Sequence, residues 1–227
     1  MRTAAVALLL AGLAGCLDVS GPQSRIDLDF DFNMHGEGWF PFATDFPVGR
    51  EADIQLVGEL RNLPAPIDGR AALYLAGTNI SDDLFIYLRK RVTGLPPNIT
   101  LQASLAVEIA SPVHAGCTVG IGSSVWIKVG VTSTAPEPFD DNGYWTLNLD
   151  KGEQSAAGLF TQLGDIRNTL SGCPSPGTWG FKQTELRTQT VSLTTDNEGG
   201  FWIFLGTESG FESRHELFFS RLRLHLE

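Results

Sequence analysis

Polar and aromatic side chains occupy alternate positions in two segments that have the two-residue period of β-strands. Trp126 and Lys128 lie opposite the Val/Ile stripe of VWIKVGVT, and Gln102 and Glu108 lie opposite the apolar stripe of LQASLAVEIA. If both strands belong to one sheet, the four side chains share a face. Such a face suits a sugar, because its C–H surface stacks on an aromatic ring while its hydroxyls form directional hydrogen bonds. The pattern therefore predicts a ligand-binding face, or else a loop or strand that covers Trp126.

A second aromatic group is the segment WFPFATDFP, which begins at Trp39 and contains three phenylalanines and two prolines. Two interpretations are open. These rings plug one end of the domain, or Trp39 contributes to the ligand face. Trp202 lies in FWIFLG, which is apolar on both strand faces, and is predicted to belong to the core.

The sequence has none of the common catalytic signatures: no G-x-S-x-G, no H-E-x-x-H and no phosphate-binding glycine loop. Asp27, Asp29 and Asp31 resemble the clustered acids of sandwich-fold glucanases, but a solvated strand face explains them as well. A glycosidase needs two carboxylates about 5 to 9 Å apart, and Glu59 with Glu108 is an unmarked pair of that kind. We therefore expect a protein without catalytic activity.

Three oxygen-rich clusters could hold structural calcium: Asp82-Asp83, Asp140-Asp141-Asn142 and Asp196-Asn197-Glu198. Carboxylate and amide oxygens are calcium ligands, but none of the clusters has the EF-hand spacing. Asp and Asn also favour turns, because their side chains bond to the nearby backbone. Structural calcium remains an open expectation, and no other cofactor is expected.

The elements that must position these residues are β-strands. Alternation also marks IDLDFDF near the start, and turn residues such as Asp141-Asn142-Gly143 separate the segments. About ten strands with no convincing amphipathic helix predict an all-β, two-sheet β-sandwich. A short helix or another strand fits residues 156–170, and residues 26–227 form one domain.

Two segments refine the fold class to a jelly roll. The alternating Asp/Phe strand followed by Gly36-Glu37-Gly38-Trp39 is similar to the opening of jelly-roll carbohydrate-binding modules and galactose-binding-like domains. The turn GLPPNIT before Leu101 is also similar. The segments FDF, GW, DFPVG, SDDLF and LDKG look like those of a group of uncharacterised secreted bacterial proteins. The resemblance implies a jelly-roll sandwich whose final strand returns beside the first, and it implies no activity.

The first fifteen residues have the features of an export signal: Arg2, an apolar run from Ala4 to Leu13, and small residues before a cysteine. The sequence Leu13-Ala14-Gly15-Cys16 resembles the lipobox of bacterial lipoproteins, which implies a lipid on Cys16 and a tether over residues 16–25. An ordinary signal peptide with a chance cysteine is the alternative. The resemblance implies a membrane-anchored protein of the bacterial envelope. Leu17 in place of Asp favours the outer membrane in a source that has one.

Cys117 and Cys173 remain as an even pair in an oxidising compartment, which predicts a disulfide. Such a bond would stabilise the fold by about 4 kcal/mol on the chain-entropy model. Two buried free thiols are the alternative, and their separation argues against a zinc site.

Charge limits the partners. Removal of the fifteen-residue leader, which contains Arg2, leaves 15 basic and 26 acidic residues, a net charge of −11. An acidic surface repels phosphate, so nucleic acid is not an expected partner. Three functional hypotheses follow: a lipid-anchored module that binds a glycan or similar polar ligand, a structural or interaction lipoprotein of the envelope, and a cryptic glycan hydrolase or lyase. The first is preferred.

Overall fold

The structure is a computed structural model that describes residues 25–67, 69–117, 121–153, 160–173, 182–187 and 190–227. The predicted leader, Cys16 and nearly all of the tether lie outside the described residues. Among the residues described, no helix is long and apolar enough to cross a membrane.

The described chain is almost entirely strand and turn. One helix, α1, has a single turn (Glu51–Ile54), and a short 3-10 turn covers Ile121–Ser123. The strands are β1 (Ile26–Asp31), β2 (Phe40–Thr44), β3 (Phe46–Pro47), β4 (Val57–Asn62), β5 (Ala71–Thr78), β6 (Leu84–Val92), β7 (Thr100–Ser111), β8 (Val125–Thr132), β9 (Pro138–Asp141), β10 (Tyr144–Leu147), β11 (Thr161–Asp165), β12 (Lys182–Arg187), β13 (Val191–Thr194), β14 (Phe201–Ser209) and β15 (Arg214–Leu226).

These strands form three antiparallel sheets. Sheet A has the order β12-β7-β15-β5-β4, with β1 also paired to β15 and β13 also paired to β7. Sheet B has the order β11-β8-β14-β6-β2, and the small sheet C has the order β3-β10-β9. The prediction of an all-β, two-sheet sandwich is confirmed. The count of about ten strands was too low because several strands have only two to five residues. The described part of 156–170 contains strand β11.

Sheets A and B pack face to face over one apolar core. In the long strands of both sheets, alternate residues point inward, for example Leu105 and Val107 from sheet A and Ile127 and Val129 from sheet B. Each large apolar side chain buried in this way contributes about 1.5 to 3 kcal/mol. The period-two pattern thus places the polar positions of both sheets on the outside of the sandwich.

The chain ends meet in sheet A. Ile26, the first residue of β1, pairs with Leu226 at the end of β15. This arrangement confirms the expectation that the final strand returns beside the beginning of the domain. The thirteen residues of β15 run along the length of sheet A.

A second layer covers part of the outer face of sheet B. Phe85, Tyr87 and Phe204 point outward from β6 and β14 and pack against Phe160 and Leu147 in a separate buried cluster. The rings of Phe85 and Tyr87 stack with their centroids 5.0 Å apart. Strands β9 and β10 with their flanking segments therefore form a third layer, which the sequence did not predict.

The predicted disulfide is present between Cys117 and Cys173, with 4.7 Å between the Cα atoms. It joins the loop after β7 to the segment that follows β11. The two segments approach closely, because a side chain at Gly116 would lie 2.4 Å from the carbonyl oxygen of Gly172. The bond thus links a connection from sheet A to a connection from sheet B.

Candidate functional site

The predicted shared ligand face does not exist. Strand β7, with Gln102 and Glu108, lies in sheet A, whereas β8, with Trp126 and Lys128, lies in sheet B. Both strands turn their apolar stripe towards the common core, so their polar faces point away from each other. Alternation along a strand tells which side of the strand is buried, but it does not tell which sheet contains the strand.

Lys128 is wholly buried, contrary to its predicted place on a ligand-binding face. Its Nζ lies 2.7 Å from an oxygen of the equally buried Glu208 and donates hydrogen bonds to the carbonyl oxygens of Lys151 and Glu153. Lys151 also pairs with Glu208, and its Nζ is 3.4 Å from the carboxylate of Asp45. We refer to Lys128, Glu208, Lys151 and Asp45 as the buried charge cluster.

The two predicted ligand tryptophans differ in burial. Trp39 is a core residue, and its ring packs edge-on against Phe30 and Phe32 at centroid distances of 5.9 and 5.5 Å. Of the two interpretations left open for Trp39, the burial of its ring favours the one in which it closes the core and argues against a place on a ligand face. Trp126 is half-buried on the outer face of sheet B, beside Glu208 in the strand register.

Trp202, predicted to be core, also lies on the outer face of sheet B. It is half-buried beneath the guanidinium groups of Arg89 and Arg91, whose Cζ atoms lie 5.0 and 5.7 Å from its ring centre.

The outer face of sheet A contains an open groove of about 480 Å³ between β1, β15 and β7. Its charged side chains pair across the strands. His225 lies 2.8 Å from Asp27, and Arg221 donates to Asp29 at 2.8 Å. Glu108, at the end of this face, accepts from the Ser220 hydroxyl at 2.6 Å. Since these groups satisfy one another, the aspartates are well explained as the solvated strand face that the sequence suggested.

An apolar cleft of about 370 Å³ lies where the edge of sheet B meets sheet C and α1. We call it the aromatic cleft. Strands β2, β3, β9 and β10 and helix α1 supply its walls. Its lining residues are Pro41, Phe42, Ala43, Phe46, Glu51, Ile54, Leu56, Pro138 and Trp145.

The polar group of the aromatic cleft is Glu51, the first residue of α1. Its Oε1 accepts a hydrogen bond from the indole Nε1 of Trp145 at 2.6 Å and another from the backbone N–H of Gly49 at 3.0 Å. These bonds, that from Trp145 foremost, lower the pKa of Glu51, so the carboxylate remains ionised at neutral pH. They also fix the orientation of the half-buried Trp145 ring, which forms one wall.

Asp45 lies behind the cleft and fixes strand β10 through backbone hydrogen bonds. Its backbone N–H donates to the carbonyl oxygen of Trp145 at 2.6 Å, and its own carbonyl accepts from the Tyr144 and Ser81 hydroxyls. Asp45 has a positive φ of 67°, which turns the chain sharply between β2 and β3. Burial raises the pKa of its carboxyl to about 6, against the opposing influence of Lys151.

Sequence reasoning missed Trp145 and Glu51 as a site. The hairpin turn at Asp141-Asn142-Gly143 was recognised, and it places Trp145 in the strand that follows. No signal linked this tryptophan to Glu51, because the two are 94 residues apart and meet only through the packing of α1 against sheet C.

Two of the three candidate calcium clusters form turns, whereas Asp82 lies in a bend before β6. Asp140 accepts a hydrogen bond from the backbone N–H of Gly143, and Asp196 accepts from the N–H groups of Glu198 and Gly200. Within the described ranges, no group of three or more His, Cys, Asp or Glu side chains is arranged to hold a metal ion. Structural calcium stays a prediction without a designated site.

Fold and site together define an all-β sandwich with an additional small sheet and an aromatic cleft at its edge. No family model and no curated protein matches the chain. Among solved structures, it is similar to the mannan-recognising carbohydrate-binding module TmCBM27, with 11% identity, 90% of this chain and 99% of that chain covered, and a TM-score of 0.40.

Two further solved structures are similar at the same level. The K3 cleaved adhesin domain of Lys-gingipain from Porphyromonas gingivalis W83 has 12% identity, 88% and 99% coverage of the two chains, and a TM-score of 0.40. TmCBM61, solved with β-1,4-galactotriose, has 12% identity, 83% and 88% coverage, and a TM-score of 0.38. Likeness at this level assigns neither a family nor a ligand to this chain.

Proposed function

We propose that this chain is an exported, lipid-anchored module that binds a glycan in the aromatic cleft and catalyses no reaction. The observation that carries the proposal is the Trp145 ring held against an ionised Glu51 in an otherwise apolar cleft. This arrangement combines a flat apolar surface with a directional acceptor, which are the two groups that a sugar ring requires.

Glu51 can serve a ligand while it holds Trp145. Its Oε1 accepts from the indole and from Gly49, whereas a carboxylate offers about four lone-pair sites on two oxygens. Glu51 is exposed, so its second oxygen can accept from a sugar hydroxyl without displacing the tryptophan. The ligand would therefore meet a ring that is already oriented, which reduces the entropy cost of binding.

The same cleft supports binding rather than hydrolysis. Among the described residues that line it, Glu51 is the sole carboxylate. Hydrolysis by the common mechanism requires a second carboxylate on the opposite side of the scissile bond. A single ionised carboxylate next to an indole fits recognition of hydroxyl groups.

The lipid anchor is supported by sequence: the apolar run that ends at Leu13 and the lipobox-like Cys16. The implied location is the bacterial envelope, outside the cytoplasm. Cys16→Ser should yield an unlipidated precursor that no longer fractionates with membranes. Retention of this variant on membranes after a high-salt wash would refute the anchor without touching the cleft.

Replacement of Trp145 tests the binding site. Manno-, xylo-, cello- and galacto-oligosaccharides of four to six units would be titrated into the lipid-free domain by calorimetry. We expect Trp145→Ala to weaken binding of the retained sugar by about 1.5 to 3 kcal/mol, the range for burial of a large apolar side chain. Trp145→Phe, which keeps an aromatic face but loses the Glu51 bond, should lose less.

Phe40→Ala is the matched control, because Phe40 is 60% exposed on β2 and does not line the cleft. This variant should bind as the native domain does. Equal binding by the native protein and Trp145→Ala would exclude the aromatic cleft as the site. Release of shortened sugars during the titration would support the cryptic hydrolase or lyase. A domain that binds no glycan would favour the envelope interaction protein.

A further inference from the structure

The position of the aromatic cleft along the sandwich can be read from strand β15. Arg214, the first residue of β15, donates a hydrogen bond to the carbonyl of Gln55 at 3.3 Å. Gln55 lies between Ile54 and Leu56, and both of these residues line the cleft. The cleft therefore lies beside the beginning of β15.

The opposite end of β15 lies beside the beginning of the domain. Leu226 pairs with Ile26, the first residue of β1, and Arg25 immediately precedes this pair. Twelve residue steps separate Arg214 from Leu226, which at about 3.3 Å per residue corresponds to about 40 Å. Arg25, to which the predicted tether from Cys16 connects, thus lies at the end of the domain opposite the cleft.

Sheet B supports the same placement. Ser209 pairs with Leu84, and Asn79 donates from its backbone to Ser213 in the turn between β14 and β15. Asp45, which holds Trp145, accepts a hydrogen bond from Ser81 in the adjacent turn. The residues behind the cleft therefore gather around the turn that begins β15, whereas β1 begins at the far end.

We propose that the aromatic cleft is carried at the end of the domain farthest from the lipid anchor, so that its ligand is a glycan polymer standing above the anchoring membrane rather than a glycolipid headgroup within it. This inference rests on the proposed function, both for the anchor and for the glycan. It adds a statement about the position of the ligand relative to the membrane.

The tether alone does not fix the domain upright, because nine residues between Cys16 and Ile26 span at most about 30 Å. The net charge of the domain favours an upright orientation on the membrane. The net charge of −11 without the leader opposes close contact between the domain and an anionic bilayer. A domain that is repelled by the lipid surface and attached at one end holds its other end outward.

Energy transfer to the bilayer tests the placement without a ligand. The lipidated chain would be reconstituted in phosphatidylethanolamine/phosphatidylglycerol vesicles that contain an acceptor-labelled lipid. In one sample the donor dye would be attached through Val48→Cys, in the turn before α1. In the other it would be attached through Glu227→Cys, next to Leu226, which pairs with Ile26. The dye pair is chosen so that its characteristic transfer distance is shorter than the length of β15. We then expect strong transfer from position 227 and at least threefold weaker transfer from position 48. Equal transfer would overturn the proposal.

Whether the ligand is a polymer or a glycolipid headgroup can be tested by offering the same glycan in both forms. The oligosaccharide bound best by the lipid-free domain would be offered to anchored protein as a soluble polymer and as a neoglycolipid in the same vesicle. We expect the polymer to bind within twofold of its affinity for the lipid-free domain, and the neoglycolipid to compete at least tenfold less well. Equal competition by the neoglycolipid would overturn the inference. Failure of the lipid-free domain to bind any glycan would instead refute the proposed function, while the transfer experiment would still locate the cleft.

Discussion

On the outer face of sheet A, charged side chains of neighbouring strands pair in contact with water, whereas on the outer face of sheet B, Lys128 and Glu208 pair with no exposed surface. In the first case Arg221 and Asp29 keep 36% and 47% of their side-chain surface exposed. In the second case both values are 0%. The strands supply the same alternation on both faces, so the difference comes from the third layer over sheet B.

The comparison shows what a covering layer does to a polar strand face. Water solvates the ion pairs on sheet A, and each such pair contributes about 0 to 1 kcal/mol. On sheet B the desolvated charges depend on one another, so that loss of one partner removes compensation that water cannot replace. Covering also changes the sign of carboxyl pKa shifts: Arg221 lowers the pKa of Asp29, whereas burial raises the pKa of Asp45.

The largest expected effect is that of Lys128→Met. The change removes the 2.7 Å partner of Glu208 and the donor to two backbone carbonyls, so we expect the free energy of unfolding to fall by about 3 to 5 kcal/mol. Urea unfolding followed by circular dichroism measures it. Arg221→Met makes a similar change on the open face and should cost at most about 1 kcal/mol. Similar losses for the two variants would mean that the covering layer does not isolate the cluster from water.

The pH dependence sharpens the same contrast. Burial raises the pKa of Asp45 from its ordinary 3.8 to about 6 in the folded protein, so its contribution to stability is complete below pH 3.8 and is lost as pH rises through 6. Asp29 has a lowered pKa, so its contribution is present above 3.8 and is lost as pH falls. The two faces therefore respond to acid in opposite directions.

Variants of the two aspartates isolate these responses from other titrating groups. Asp45→Asn removes this contribution, so its stability relative to the native protein should fall by about 2 kcal/mol from pH 7 to pH 4. Asp29→Asn should change little over this range and become less destabilised relative to the native protein as pH falls below 3.8. Unfolding curves at several pH values measure both differences. Parallel trends for the two variants would contradict the contrast between the faces.

The pH dependence of the native protein's stability does not by itself reveal the contribution of Asp45, because His215 titrates in the same range. Differences between variants and the native protein are therefore needed. Complete burial lowers the pKa of His215 to about 4 from 6.5, so its contribution is lost as pH falls through that window. This loss opposes the gain from Asp45 over nearly the same range.

The sequence predicted well what depends on alternation and poorly what depends on long-range packing. The inward stripes of β7 and β8, the return of β15 to β1 and the Cys117–Cys173 bond were all anticipated. The third layer was not, because the two-residue period around Lys128 is the same for a solvated and a covered face. One signal was available: Trp126 on a nominally polar face indicated either a ligand or a cover.

The smallest expected effect concerns the coupling between Arg221 and Asp29, which form a two-bond pair across β15 and β1. A double-mutant cycle with Arg221→Ala and Asp29→Ala isolates their interaction from the other contacts of each residue. Two parallel hydrogen bonds make this geometry favourable for a surface pair, so the coupling should be near 1 kcal/mol at low ionic strength. It should decline in 1 M salt, where the screening length is about 3 Å. The equivalent cycle for Lys128 and Glu208 should give a larger coupling that changes little with salt, because ions do not reach wholly buried charges. A salt-independent Arg221–Asp29 coupling would show that the groove on sheet A is screened from solvent, and the contrast between an open and a covered face would no longer hold.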